Sequence, residues 1–191
     1  TKAHHAVALD LLDRGVHCLV EKPITSTVPE AERLVDTAAR RGTVLAVGHV
    51  ERFNPAVSAA AAYVREPKYV TAVRAGGYTF RSTDVSVVLD LMIHDLDVTL
   101  AFVDSDVVDV SALGAAVFGP HEDMAQARLT FANGCIADLV ASRTSPQPAR
   151  HMQIYWPSGY AGIDFASRTT PWMWTGPPKT LLEPEARRRS P

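Results

Sequence analysis

The 191-residue sequence has only two cysteines, Cys18 and Cys135, far apart and outside any C-x-x-C spacing. That excludes a disulfide framework and a cysteine-built zinc site, and it points to a reducing compartment, the cytoplasm. No apolar run approaches the roughly 18 residues of a membrane span, so no membrane partner is expected. Neither charge is in surplus: 19 basic residues face 21 acidic ones, a formal net charge of -2. No basic field is therefore expected to hold nucleic acid. No G-x-G-x-x-G occurs among the 11 glycines, and no segment repeats. An opening methionine is missing too. The chain starts at Thr1 with a helical pattern in its first residues, and so reads as a piece of a longer protein.

What is present is ordinary globular usage, 47% hydrophobic and 21% charged. In residues 4–14 Val7, Ala8, Leu11 and Leu12 fall at helical spacing, and Gly15 supplies a stop. The run VHCLV between Gly15 and Pro23 suggests a strand buried on both faces. Ser26 or Thr27 can cap a second helix with Pro29 and Glu30 in its first turn and Gly42 at its end. TVLAVGH, 43–49, is a second buried strand. Helix, strand, helix, strand with short links is the grammar of a doubly wound parallel α/β sheet.

After residue 50 the grammar changes. Residues 55–65 read as a helix opened by Pro55, and YVTAVRAGGYTF, 69–80, as an antiparallel strand. The stretch 85–103 begins strand-like and turns helical near Asp90. Four further strand patterns follow to residue 159, with Asn133-Gly134 the clearest hairpin turn, and GYAGIDFAS is a possible fifth. The expected organisation is a C-terminal part of a Rossmann domain over 1–50, an α/β domain with a large, mostly antiparallel open sheet over 51–170, and a Pro-rich irregular tail over 171–191.

Three segments can carry chemistry. Glu21-Lys22-Pro23 lies at the carboxyl end of a parallel strand, the edge where open α/β sheets bind ligands. Pro23 cannot continue a central strand, so the chain turns and leaves Lys22 at the rim, able to donate a proton or steady an alkoxide. A surface Lys–Glu pair would look the same. In DLMIHDLD, 90–97, Asp90 and His94 stand one helical turn apart, and a carboxylate there can fix the imidazole tautomer and raise its basicity. A capped helix start with a structural histidine is the plainer alternative. A metal set of His94, Asp95 and Asp97 with His4 or His5 matches no common zinc spacing, and no metal is expected. Arg52 and Asn54 follow the second strand and can line a cleft, although Asn54 before Pro55 is also a sufficient helix cap. Arg81 and Arg143 are candidates for anionic or diphosphate contacts, or else surface arginines.

Taken together, His4 with its helix, HCLVEKP (17–23), VGHVERFNPAV (47–57) and LDLMIHDLDVTL (89–100) resemble the Gfo/Idh/MocA family of nicotinamide-dependent sugar oxidoreductases, in order and spacing up to about residue 167. HVERFNPAV with DVSVVLDLMIHDLD narrows the resemblance to a branch of UDP-N-acetylglucosamine 3-dehydrogenases. It implies a Rossmann domain that holds NAD or NADP and a C-terminal domain that holds a sugar or sugar nucleotide and makes a homo-oligomer, a dimer or tetramer, through its sheet. It implies catalysis by Lys22, Asp90 and His94, with His94 as base, Lys22 polarising the oxygen and Asp90 orienting them. Glu21, Lys22, Pro23, His4 and Arg52 would then lie at the cofactor, and Asn54, Arg81 and Asp97 at the substrate. Other sugar or inositol dehydrogenases of the family, or a non-catalytic module, are the alternatives. The sequence departs from the family at Val50, where many relatives have Asn, and after residue 170. With no G-x-G-x-x-G to cradle a pyrophosphate, the piece alone is expected to turn over little.

Overall fold

The structure is a computed structural model that describes residues 3–79 and 85–176. It divides into two compact units, Thr1–Val50 and Glu51–Pro191.

In the first unit, α1 (His4–Asp13) leads through Gly15 to β1 (Cys18–Val20), then α2 (Val28–Arg41) and β2 (Leu45–Val47). β1 and β2 pair in parallel, Cys18 opposite Leu45 and Val20 opposite Val47. Gly42 sits at φ 64°, a left-handed conformation that ends α2 and that a side chain would strain. Glu30 closes the other end of α2, its carboxylate accepting from the N–H groups of Ser26 and Thr27 at 3.2 Å each. Ala8 and Leu12 of α1 and Leu34 and Ala38 of α2 pack with Cys18 and Val20 into one small core. Both helices thus cover the same face. This corrects the expectation of a strand buried on both sides: Leu19, between two buried neighbours, is 74% exposed.

The second unit opens on a 3-10 turn (Val50–Phe53, from Glu51 onward) and α3 (Pro55–Ala61), then β3 (Tyr69–Ala75), a π-helical turn (Val88–Met92) and α4 (Ile93–Val103). Six strands follow: β4 (Val107–Ala115), β5 (Met124–Phe131), β6 (Ile136–Ser142), β7 (Ala149–Trp156), β8 (Gly159–Asp164) and β9 (Thr169–Thr175). They form a seven-stranded sheet in the order β4-β5-β6-β3-β7-β8-β9. Period-2 alternation turns Val70 and Ala72 of β3, Leu129 and Phe131 of β5, Leu139 of β6, Met152 and Ile154 of β7 and Ile163 of β8 toward Ala56, Ala60, Met92 and Val98 of the helical layer.

Three local expectations change. β3 is antiparallel to β7 but parallel to β6, because the chain returns through α4 and the β4–β5–β6 meander to lie alongside it. The strand-like opening VSVV is no strand. Val87 is fully buried and donates its N–H to the Glu122 carbonyl, and the helix begins at once. The tail is not irregular from residue 171: Thr169–Thr175 is an edge strand, Trp172 and Trp174 pairing with Gly162 and Tyr160. Pro171 is tolerated there because an edge strand needs no ladder donor on its open side. The remainder of that tail, 177–191, lies outside the described residues.

Candidate active site

The candidate residues fall into two groups, one in each unit. In the first, β1 and β2 end side by side, and the ladder closes with the Gly48 N–H donating to the Val20 carbonyl at 2.8 Å. Beyond that bond the chain runs into Glu21-Lys22-Pro23, with a cis peptide between Lys22 and Pro23. The Glu21 carboxylate lies across Gly48, where a Cβ would stand 2.9 Å from its Oε2. His4, the first residue of α1, reaches the Pro23 carbonyl from Nδ1 at 2.8 Å. His4 and Glu21 also border a mostly apolar groove of about 400 Å³ lined by Val7, Leu11 and Leu19.

In the second unit Asp90 belongs to the π-helical turn and His94 to the first turn of α4. Such π turns recur at functional sites. Both residues are half-buried, and their spacing of four puts them on one side of the helix. The acids that follow point into ion pairs. Asp95, 2% exposed, accepts from Arg74 Nε at 3.0 Å and Nη2 at 2.9 Å. The third nitrogen, Nη1, donates to Glu51 at 3.1 Å, and the guanidinium lies 5.0 Å from the centre of the Phe165 ring. Burial works against the Arg74 charge, but the hydrogen bonds and charges of Asp95 and Glu51 outweigh it and raise its pKa. Burial also pushes the Asp95 carboxyl up, against the opposing pull of Arg74.

Asp97 takes a bidentate pair from Arg52, at 2.7 and 2.8 Å, whose hydrogen bonds raise the Arg52 pKa. Asn54 caps α3 by accepting the Ala56 N–H at 3.1 Å, and its amide donates to Glu51 and to the Phe165 carbonyl. Arg52 and Asp97 are thus brought together as an ion pair, while Asn54 is engaged separately with Ala56, Glu51 and Phe165. Arg81 lies outside the described residues. Among the described residues no group of three or more His, Cys, Asp or Glu could hold a metal ion.

Arg143 is neither a surface residue nor a free anion-binding group. It is 7% exposed and donates to Asp123 at 2.9 Å and to the carbonyls of Val85 and Glu122. The other oxygen of Asp123 accepts the N–H groups of Val117, Phe118 and Gly119 at 2.7–3.1 Å. The Phe118 N–H, with Val117, Gly119 and Arg143, lowers the Asp123 pKa to about 2 despite its burial. The unfolded carboxyl titrates near 3.9. The ionised form therefore stabilises the fold fully above that value, and the contribution is lost as pH falls from about 4 to about 2. Melting temperatures measured across that range should fall in the wild type by a component that Asp123→Asn lacks.

The Arg74 centre is what sequence reasoning missed. Its signal was the strand phase: in YVTAVRA Val70, Ala72 and Arg74 alternate inward, so an arginine occupies a core position and demands buried acids.

A βα unit that ends its parallel strands in a polar Glu-Lys-Pro turn, followed by a mixed sheet with helices on one face, is the build of the two-domain oxidoreductases. Residues 1–49 match the oxidoreductase family's NAD-binding Rossmann fold, and residues 56–161 the GFO/IDH/MocA C-terminal domain. The chain belongs to the Gfo/Idh/MocA family. It is 44% identical over 174 residues to the UDP-N-acetylglucosamine 3-dehydrogenase of Acidithiobacillus ferrooxidans, covering 88% of this chain and 54% of that protein. A solved structure of that enzyme superposes with a TM-score of 0.83 over 87% of this chain and 55% of its own. The scyllo-inositol 2-dehydrogenase (NAD(+)) of Bacillus subtilis is 25% identical over 76% of this chain and 47% of its own length. An inositol dehydrogenase homologue from Azotobacter vinelandii, at 17% identity and a TM-score of 0.80 over 87% of this chain and 49% of its own, shares the fold. The chain spans about half the length of the curated relatives it matches.

Proposed function

We propose that the protein carrying this chain is an NAD- or NADP-dependent oxidoreductase that oxidises a ring hydroxyl of a UDP-amino sugar. The observation that carries this reading is the 44% identity to a UDP-N-acetylglucosamine 3-dehydrogenase over 88% of the chain. Glu21-Lys22-Pro23, a turn with two charged side chains just beyond the carboxyl ends of two parallel strands, suits the nicotinamide end of a dinucleotide. A nicotinamide held there would supply the hydride acceptor for oxidation of the sugar carbon. His94 takes the hydroxyl proton as the carbon–oxygen double bond forms, and the Lys22 ammonium donates a hydrogen bond to that oxygen. Asp90 orients the imidazole. We assign Arg52, Asn54 and Asp97 to holding these elements, since Arg52 and Asp97 pair with each other and Asn54 caps α3.

The sheet face turned away from the helices supports a homo-oligomer. Tyr69, Tyr155, Tyr160 and Trp172 lie across it beside an Arg128–Asp138 pair, an aromatic and arginine composition that interfaces favour. The two buried thiols support the cytoplasm. Among the described residues no helix is long and apolar enough to cross a membrane.

The test is an assay of the full-length protein with UDP-N-acetylglucosamine and NAD or NADP, following reduced nicotinamide. Turnover is expected. Turnover of scyllo- or myo-inositol in its place would move the substrate to the inositol class, and no turnover of either would overturn the reading.

A further inference from the structure

We propose that His4 is a positioning residue for Lys22, acting through the backbone of the Glu21-Lys22-Pro23 turn and not as a ligand of cofactor or substrate. This inference rests on the oxidoreductase reading for the role of Lys22, though not for the contact itself. The β1–β2 ladder ends at Val20, and Pro23 has no N–H to close a turn of its own. The imidazole of His4 crosses from the start of α1, 19 residues earlier, and meets the Pro23 carbonyl at 2.8 Å. A carbonyl oxygen only accepts, so Nδ1 carries the proton, and in the neutral ring Nε2 is then the unprotonated nitrogen. Pro23 itself is buried, and α1 is packed on β1 through Ala8 and Leu12. One side of the turn is therefore tied to a fixed helix by this bond, while Glu21 is laid over Gly48 on the other side. The residue between them is Lys22. The hydrogen bond to the carbonyl that follows the lysine, with the Glu21 side chain lying against Gly48 before it, restricts the path of its backbone. Errors of about 1 Å in the placement of a catalytic group cost about 100-fold in rate.

The chemistry of the ring supplies the test, because the amide nitrogen of asparagine falls near the position of Nδ1 and that of glutamine near Nε2. His4→Asn, His4→Gln and His4→Ala are compared in the full-length protein. Two readings are taken: the amide resonances of Lys22 and Ile24, and kcat with the nicotinamide coenzyme. Thermal melts establish that each variant is folded. His4→Asn should keep the two amides near their wild-type positions and retain most of kcat. His4→Gln and His4→Ala should shift both amides and lose about 10- to 100-fold in kcat. Should the alanine variant fail to fold, the asparagine–glutamine contrast still decides. Rescue by glutamine and not by asparagine would overturn the proposal in favour of a direct role for Nε2. Equal behaviour of all three variants would overturn it as well. If the wild type turned over no sugar, the oxidoreductase reading would fall, while the amide shifts would still decide whether His4 holds the turn.

Discussion

Arg74→Met unfolds about 3–5 kcal/mol more easily than the wild type, because it removes the guanidinium paired with Asp95 in a site where that acid is 2% exposed. The methionine fills much of the arginine's volume, so the loss measures the missing charge and hydrogen bonds and not a cavity. Its pH dependence distinguishes it from a packing defect. Burial already pushes the Asp95 carboxyl up, and Arg74 opposes that push. Removing Arg74 raises the folded pKa further above the unfolded value near 3.9. The folded state then binds the proton more tightly than the unfolded state, so the variant loses stability as pH rises above about 4. The gap between variant and wild type is expected to be small at pH 4 and to widen toward pH 7. Paired replacement, Arg74→Met with Asp95→Leu, should recover most of the loss, since exchanging a whole buried pair for apolar groups is often neutral. Denaturant unfolding at several pH values checks all three statements. A gap that does not change with pH would mean that Asp95 is not the group left unpaired.

The same centre shows where sequence reading reaches its limit. Periodicity located α1, α2 and the strand runs, because an apolar stripe at period 3.6 or 2 is a direct record of which face is buried. Asn133-Gly134 foretold the β5–β6 turn, where Gly134 has φ 80°. Partners of charged side chains leave no such record. Asp95 and Asp97 looked like candidate ligands because they crowd His94 in sequence, yet their partners, Arg74 and Arg52, lie 21 and 45 residues away. The phase of a single arginine in β3 was the one local hint. The parallel pairing of β3 with β6 was hidden for a related reason: strand neighbours are decided by chain path, and alternation reads the same in both directions. β9 was missed because Pro171 dominates its local signal, while the constraint that makes it a strand, pairing with β8, is not local.

That division also gives the helix of His94 its chemical character. Asp95 and Asp97 pair with Arg74 and Arg52, and Asp90, four residues before His94, offers a carboxylate on His94's side of the helix. Replacing His94 with Gln should therefore lower kcat by about 10²–10⁴-fold, the usual contribution of a positioned general base, with KM little changed. Asp90→Asn should cost less, because the base remains and only the group that orients it is changed. Its mark should be a smaller fall in kcat, with KM little changed. The order of effects follows from the roles: a residue that takes the proton cannot be replaced by one that only accepts a hydrogen bond, whereas an orienting residue partly can. Stopped-flow or steady-state rates across pH 5 to about 9 with the nicotinamide coenzyme would read both. A His94→Gln variant that kept the wild-type pH profile would move the base elsewhere, and Lys22, which the mechanism places at the same oxygen, would be the next to test.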